Sequence, residues 1–169
     1  MIEVSDQALS YEDLELEGID FISNGDQYLT FILGDEHYAI DILTVKEIRG
    51  WDEPTKIPKS PHYVKGVTNL RGVIVPIIDL REQFCIGEVS YSPTTVVIVL
   101  TKSNQRTMGF VVDAVSDVLN VEEEAIKKAP SFNGSVPNHY IDGLVNVGDN
   151  VVTLVSVEQL LDLDEPHGE

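Results

Sequence analysis

Asp79 and Asp113 each close a run of apolar, β-branched residues. Two carboxylates brought together at strand ends could work as general acid and base. A carboxylate between a strand and a helix is also a common N-cap, and Asp79 before Leu80-Arg81-Glu82 suits that plainer role. Cys85, after Phe84, reads as a small core residue rather than a nucleophile. His37, His62, His139 and His167 are scattered among turns and ends, without the spacing of a metal site. There is no Gly-x-Gly-x-x-Gly, no Walker-type phosphate loop, no His-Glu-x-x-His and no Gly-x-Ser-x-Gly. Asn133-Gly134-Ser135 fits a glycosylation sequon, which means little in an intracellular chain. The expectation is a protein without catalytic residues, metal or cofactor.

Plain scaffold does not account for the stretch from Lys65 to Asp79. Gly66 and Gly72 relieve the backbone at either end of a short strand. Arg71 lies between Leu70 and Gly72, so its guanidinium issues from a turn lined by apolar residues. Such a group can fork onto a partner's carboxylate or carbonyl. The alternative is an internal pair with Asp79 or Glu47.

Charge narrows the classes of partner. The 169 residues carry 29 Asp and Glu against 11 Lys and Arg, a net charge of −18. A protein with a pI near 4.3 lacks the basic face that nucleic acid or anionic lipid requires. The longest apolar runs, Val96–Leu100 and Val73–Ile78, are strand-length, far short of the ~20 residues that span a bilayer. The first residues are acidic where a signal peptide is basic, and the single cysteine fits a reducing compartment. A cytoplasmic location is expected. Lys and Arg occur only from Lys46 to Lys128. Between Lys46 and Arg81, Lys46, Arg49, Lys56, Lys59, Lys65, Arg71 and Arg81 face Glu47, Asp52, Glu53 and Asp79, a local net charge of +3. A locally basic surface on an acidic molecule suits an acidic partner; chance clustering on a solvated face is the alternative.

The elements that must position these residues are mostly strands. Residues 1–25 read as a flexible acidic tail. There Glu3, Asp6, Glu12, Asp13, Glu15, Glu17 and Asp20 surround Leu9, Leu14, Leu16, Ile19 and Phe21. From Tyr28 the pattern alternates: Tyr28–Leu33 and His37–Ile42 form a hairpin about Gly34-Asp35-Glu36, and Thr94–Leu100 with Thr107–Val112 repeats it. Gly66–Asn69, Val73–Ile78, Leu144–Val147 and Val151–Val157 add four β-rich runs, and Asp79–Phe84 and Val157–Leu163 predict short helices. Many short strands punctuated by Gly and Pro predict a mainly β, small-barrel architecture.

The halves repeat. Tyr38–Ile48 beside Met108–Val118 aligns apolar residues at Ile40, Ile42, Val45 and Ile48 and sets Glu47 over Asp117. Tyr63-Val-Lys-Gly66-Val-Thr-Asn69 matches Tyr140-Ile-Asp-Gly143-Leu-Val-Asn146, and Val73–Ile78 keeps register with Asn150–Val155 apart from the first position. Two related barrels leave a groove between them, a favoured place for a partner.

The run from Gly66 to Leu80 closely resembles the signature of the CheW family, the coupling proteins of bacterial chemotaxis. Leu33–Leu43, Val45–Gly50, Thr95–Leu100 and Val111–Leu119 resemble it too, and the resemblance extends from about Tyr28 to about Leu163. It implies two intertwined five-stranded SH3-like β-barrels in one domain over residues 26–165. The first barrel would cover about 28–86, the second about 93–157, and a C-terminal short helix about 157–163. It also implies a non-enzymatic adaptor joining the histidine kinase CheA, through its regulatory domain, to the cytoplasmic tips of methyl-accepting chemoreceptors. Such an adaptor is recruited to the inner face of the membrane in arrays, in rings that can include other CheW copies. Carried over by position, the receptor-facing groove would hold Val45, Gly66, Arg71, Gly72, Gly109, Val118 and Gly143. The kinase contact would use Ile42, Glu47 and Ile48. The departures are a longer turn at Thr101–Arg106, and Lys127-Lys128 before Ala129-Pro130.

Two other readings stand beside this one. A paralogous scaffold of the same fold would serve pilus or surface signalling. A small enzyme would use Asp79 and Asp113, which requires those carboxylates to converge in a pocket. A fused receiver domain is not expected, because nothing of domain size follows Leu163.

Overall fold

A computed structural model describes residues 26–102, 107–128 and 136–162. The acidic tail 1–25, most of the turn 101–106, Ala129-Pro130, Asn133–Ser135, Leu163 and His167 lie outside the described residues.

Among the described residues ten strands run in chain order: β1 (Asp26–Leu33), β2 (Glu36–Asp41), β3 (Val45–Gly50), β4 (Val64–Leu70), β5 (Val73–Asp79), β6 (Val96–Thr101), β7 (Thr107–Val112), β8 (Ala114–Val121), β9 (Ile141–Val147) and β10 (Asn150–Val155). Two short helices, α1 (Leu80–Phe84) and α2 (Val157–Leu161), follow β5 and β10. Asp79 caps α1 by accepting from the Arg81 amide at 3.0 Å, and Ser156 caps α2 by accepting from the Gln159 amide at 3.3 Å.

The strands form two five-stranded sheets, β8-β1-β2-β10-β9 and β3-β6-β7-β5-β4. The fold is mainly β, as the sequence predicts. Shifting every strand number by five turns one order into the other, so the duplication in the sequence is a duplication of topology. Details repeat as well. Ala39 faces Leu154 across the parallel pair β2–β10, and Gly109 faces Ile77 across β5–β7. The Tyr63 carbonyl accepts from the Asp79 amide and the Tyr140 carbonyl from the Ser156 amide, each at 2.8 Å.

The boundary drawn between residues 28–86 and 93–157 does not divide the strands. β1 and β2 join β8, β9 and β10, while β6 and β7 join β3, β4 and β5. Each half lends a hairpin to the other's sheet through a parallel pairing. Contiguous hydrophobic runs show that strands exist but not which partner each one finds.

Alternation then gives each sheet two apolar faces. Leu29, Phe31, Ile40, Ile78, Ile98, Phe110 and both helices build a central cluster between the sheets. Leu70, Val75, Ile77, Val97, Val99 and Val111 build a second cluster on the other face of the β3–β4 sheet. Ala39, Val121, Val145, Val152 and Leu154 build the matching third.

Candidate functional site

The two carboxylates with chemical potential do converge, but on a guanidinium. Arg81 Nε and Nη2 donate to the two oxygens of Asp79 at 2.9 and 2.8 Å, and Nη1 donates to Asp113 Oδ1 at 2.7 Å. Nη1 also reaches the Ser90 carbonyl at 2.7 Å, and the Tyr91 ring lies over the guanidinium with its centroid 5.2 Å away. Both Arg81 and Asp79 side chains are fully buried. Burial alone would pull the Arg81 pKa down, but hydrogen bonds and charge from Asp79 and Asp113 outweigh it and hold it above its ordinary value. The remaining Asp113 oxygen accepts from the Gly34 amide at 2.7 Å. One buried cation thus takes up both carboxylates. The arrangement ties α1, β7 and the β1–β2 turn together.

Arg71 does the opposite. It lies at the tip of the β4–β5 hairpin with its side chain 67% exposed and a φ of +55°, a left-handed conformation seldom adopted by residues other than glycine. Gly72 beside it has a φ of +89° and donates its amide to Asn69 Oδ1 at 2.8 Å. The Arg71 Nη2 reaches both oxygens of Glu47 on β3 at 3.1 Å. β3 and β4 are the two edges of one sheet, so this ion pair straps one edge to the other. Beneath the strap, Lys46, Glu47, Leu70, Arg71, Val73, Val75, Val99 and Thr107 line a depression of about 190 Å³ that opens onto the second apolar cluster. In the β8–β9 sheet the position equivalent to Arg71 is Gly148, and that equivalent to Glu47 is Asp117, so that sheet has no such strap.

The predicted partner residues separate into groups. Arg71, Gly72 and Glu47 meet at the tip. Val45 and Val118 are half-buried against the central cluster, as is Ile42, while Ile48 belongs to that cluster. Gly66, Gly109 and Gly143 are buried, and each admits another group where a side chain would stand. A Cβ on Gly109 would lie 2.8 Å from Ile77 and Val97, and one on Gly143 would lie 2.5 Å from Ile126. Gly66 and Gly143 occupy equivalent places on different sheets. The Arg71–Glu47 pair joins a residue placed in the receptor set to one placed in the kinase set.

Sequence reasoning missed Arg81 as the centre of the carboxylate pair, although its spacing from Asp79, two residues on through a cap, was visible. It also missed Trp51 stacked on Tyr91, with ring centroids 4.3 Å apart and planes within 6°. No residue spacing signals that contact.

Among the described residues no helix is long and apolar enough to cross a membrane. Residues 27–165 match the profile of the CheW-like domain. The chain is 52% identical over 141 residues to the chemotaxis protein CheW of Klebsiella aerogenes, covering 83% of this chain and 84% of that one. It is 30% identical over 141 residues to the chemotaxis protein CheW of Bacillus subtilis, covering 83% and 90%. The crystal structure of the scaffolding protein TtCheW from Thermoanaerobacter tengcongensis superposes with a TM-score of 0.74 at 29% identity, over 80% of this chain and 86% of that one. Profile, relatives and architecture agree, and the chain belongs to the CheW-like domain family.

Proposed function

We propose that this protein is a chemotaxis coupling adaptor that works by binding and not by catalysis. It joins a CheA-type histidine kinase, through the kinase's regulatory domain, to the cytoplasmic tips of methyl-accepting chemoreceptors, and reaches the inner membrane face only through those receptors. The observation that carries this reading is the division of labour among the charged groups. Asp79 and Asp113, the pair suited to acid–base work, are occupied by buried Arg81. At the surface, the β4–β5 hairpin tip instead exposes Arg71, Val73 and Ile74 together. Arg71 can exchange Glu47 for a partner carboxylate, and the exposed Val73 and Ile74 supply apolar area around that contact.

In this reading Val45, Gly66, Arg71, Gly72, Gly109, Val118 and Gly143 belong to the receptor-facing side, and Ile42, Glu47 and Ile48 to the kinase-facing side. The buried glycines serve it by letting strands approach, not by touching the receptor. The test is co-purification of the full chain with a CheA-type kinase and a receptor cytoplasmic fragment. A ternary complex is expected. Recovery of only one partner at a time, at concentrations that saturate each separately, would overturn the reading.

A further inference from the structure

Three cations of the basic segment are held internally: Arg81 by Asp79 and Asp113, Lys65 by Glu82, and Arg71 by Glu47. Lys46, Arg49, Lys56 and Lys59 are exposed. Arg49 lies 3.9 Å from the same Glu47 carboxylate that Arg71 occupies, so one acid faces two guanidinium groups and the β3 edge keeps a positive excess. Beside it Val73 and Ile74 stand 51% and 59% exposed. The equivalent β9–β10 tip exposes Val147 and Val151 as well, at 36% and 54%, yet the charged residue of its turn, Asp149, is acidic. Two tips that both expose apolar side chains but carry opposite charge separate an electrostatic preference from a merely hydrophobic one.

The chain itself carries the complement of the basic tip. Residues 1–25 hold seven acids, no Lys and no Arg, and intersperse Leu9, Leu14, Leu16, Ile19 and Phe21 among them. β1 begins at Asp26, twelve residues after Leu14, and a chain of that length reaches up to about 40 Å. That equals the diameter of a domain of this size, whose radius of gyration is about 14 Å. Tethering supplies an effective concentration on the order of 1 mM, so a contact too weak to form between separate molecules is populated within one.

We propose that the acidic, leucine-bearing segment 9–21 docks on the Arg71 end of the β3–β4 sheet. Its carboxylates face Lys46, Arg49 and Arg71, and its apolar side chains cover Val73 and Ile74. Because Arg71 and Gly72 belong to the receptor-facing side, the docked segment competes with the receptor there. That consequence rests on the proposed function; the docking does not.

The test uses the full chain with Cys85→Ser, a nitroxide on Ser10→Cys, and backbone amide relaxation. Amides from Arg71 to Ile74 should be broadened several-fold more than those from Val147 to Val151, and the difference should vanish in about 0.5 M salt or with Lys46→Glu and Arg49→Glu together. Equal broadening at both tips, none at either, or a pattern indifferent to salt would overturn the proposal. Equal broadening when the nitroxide sits on a separate, isotope-free molecule would also overturn it, because the occupant would then be a second copy. A separate titration with a receptor fragment compares the parent with the variant carrying Gln or Asn at Glu12, Asp13, Glu15 and Glu17. The variant should bind about two- to five-fold tighter, as expected when half or more of the sites are self-occupied. Broadening with unchanged affinity would leave the docking standing and overturn the competition, removing the receptor from this face.

Discussion

Replacing Gly66 with alanine separates two ways in which a glycine can matter to an adaptor. Gly66 sits in a β-bulge with a φ of +144°, and a Cβ there would lie 2.1 Å from the Thr55 carbonyl oxygen, 2.7 Å from its carbon and 3.2 Å from Lys56 Cα. All three neighbours are backbone, so no rotamer change relieves the clash. Making room breaks the Thr55–Val67 bridge, whose two hydrogen bonds measure 2.9 and 2.8 Å. Those bonds are worth ~0.5–1.5 kcal/mol each, and an alanine forced to this φ costs a further ~1–3 kcal/mol. The total is about 2–6 kcal/mol, or a Tm lower by on the order of 10 °C for a chain of this size. Gly72→Ala is the control: its φ is +89° but nothing lies within 4 Å of the added carbon, so the strain of about 1–3 kcal/mol acts alone. Thermal melts followed by titration with a receptor fragment decide the case. Gly66→Ala should lose stability first, and its affinity for both partners should fall together. A Gly66→Ala protein melting within about 2 °C of the parent would refute the steric argument and return Gly66 to the contact surface.

Arg71→Ala should change stability by only about 0–1 kcal/mol, the range for an exposed ion pair, while weakening receptor-fragment binding by ~1–3 kcal/mol in isothermal titration. It should weaken kinase binding less, through the freed Glu47; a collapsed melt would make Arg71 structural. Arg81→Met should destabilise by ~3–5 kcal/mol, because it leaves buried Asp79 uncompensated, and adding Asp79→Asn should restore part of the loss in denaturant titration. Burial first, then the Glu36 hydrogen bond and charge, raises the Tyr38 pKa; burial with nearby acids also raises Tyr28 and Tyr91. Folded tyrosines therefore keep protons that the unfolded chain loses from its ordinary value of 10.0 upward. The contribution is full below that value and lost as pH rises, so Tm should fall from about pH 9 to about pH 11, and less steeply in Tyr38→Phe.

Alternation made the hairpins β1–β2 and β6–β7 legible, since their inward residues recur every second position between short polar turns. Alternation does not mark β3 and β8 as strands. Both are sheet edges, both contain a bulge that breaks the period, and each buries few of its residues. They are equivalent under the duplication, so one physical cause hid both. The Tyr-x-x-Gly-x-x-Asn frame revealed the duplication because each glycine sits beside a bulge where an added Cβ would meet a neighbour, at 2.1 Å for Gly66 and 2.5 Å for Gly143. The exchange of hairpins between halves was not legible, because parallel pairings between distant segments leave no local pattern. Asp79 showed its capping role in sequence, whereas its ion pair depends on Arg81 turning inward at the start of a five-residue helix.

The central claim, that one molecule bridges two partners, is tested most directly by kinase activity measured against adaptor concentration, with kinase and receptor fragment held limiting and unassembled into arrays. A bridge predicts stimulation that rises and then falls in excess adaptor, as separate binary complexes replace the ternary one. Monotonic saturation at large excess would contradict it.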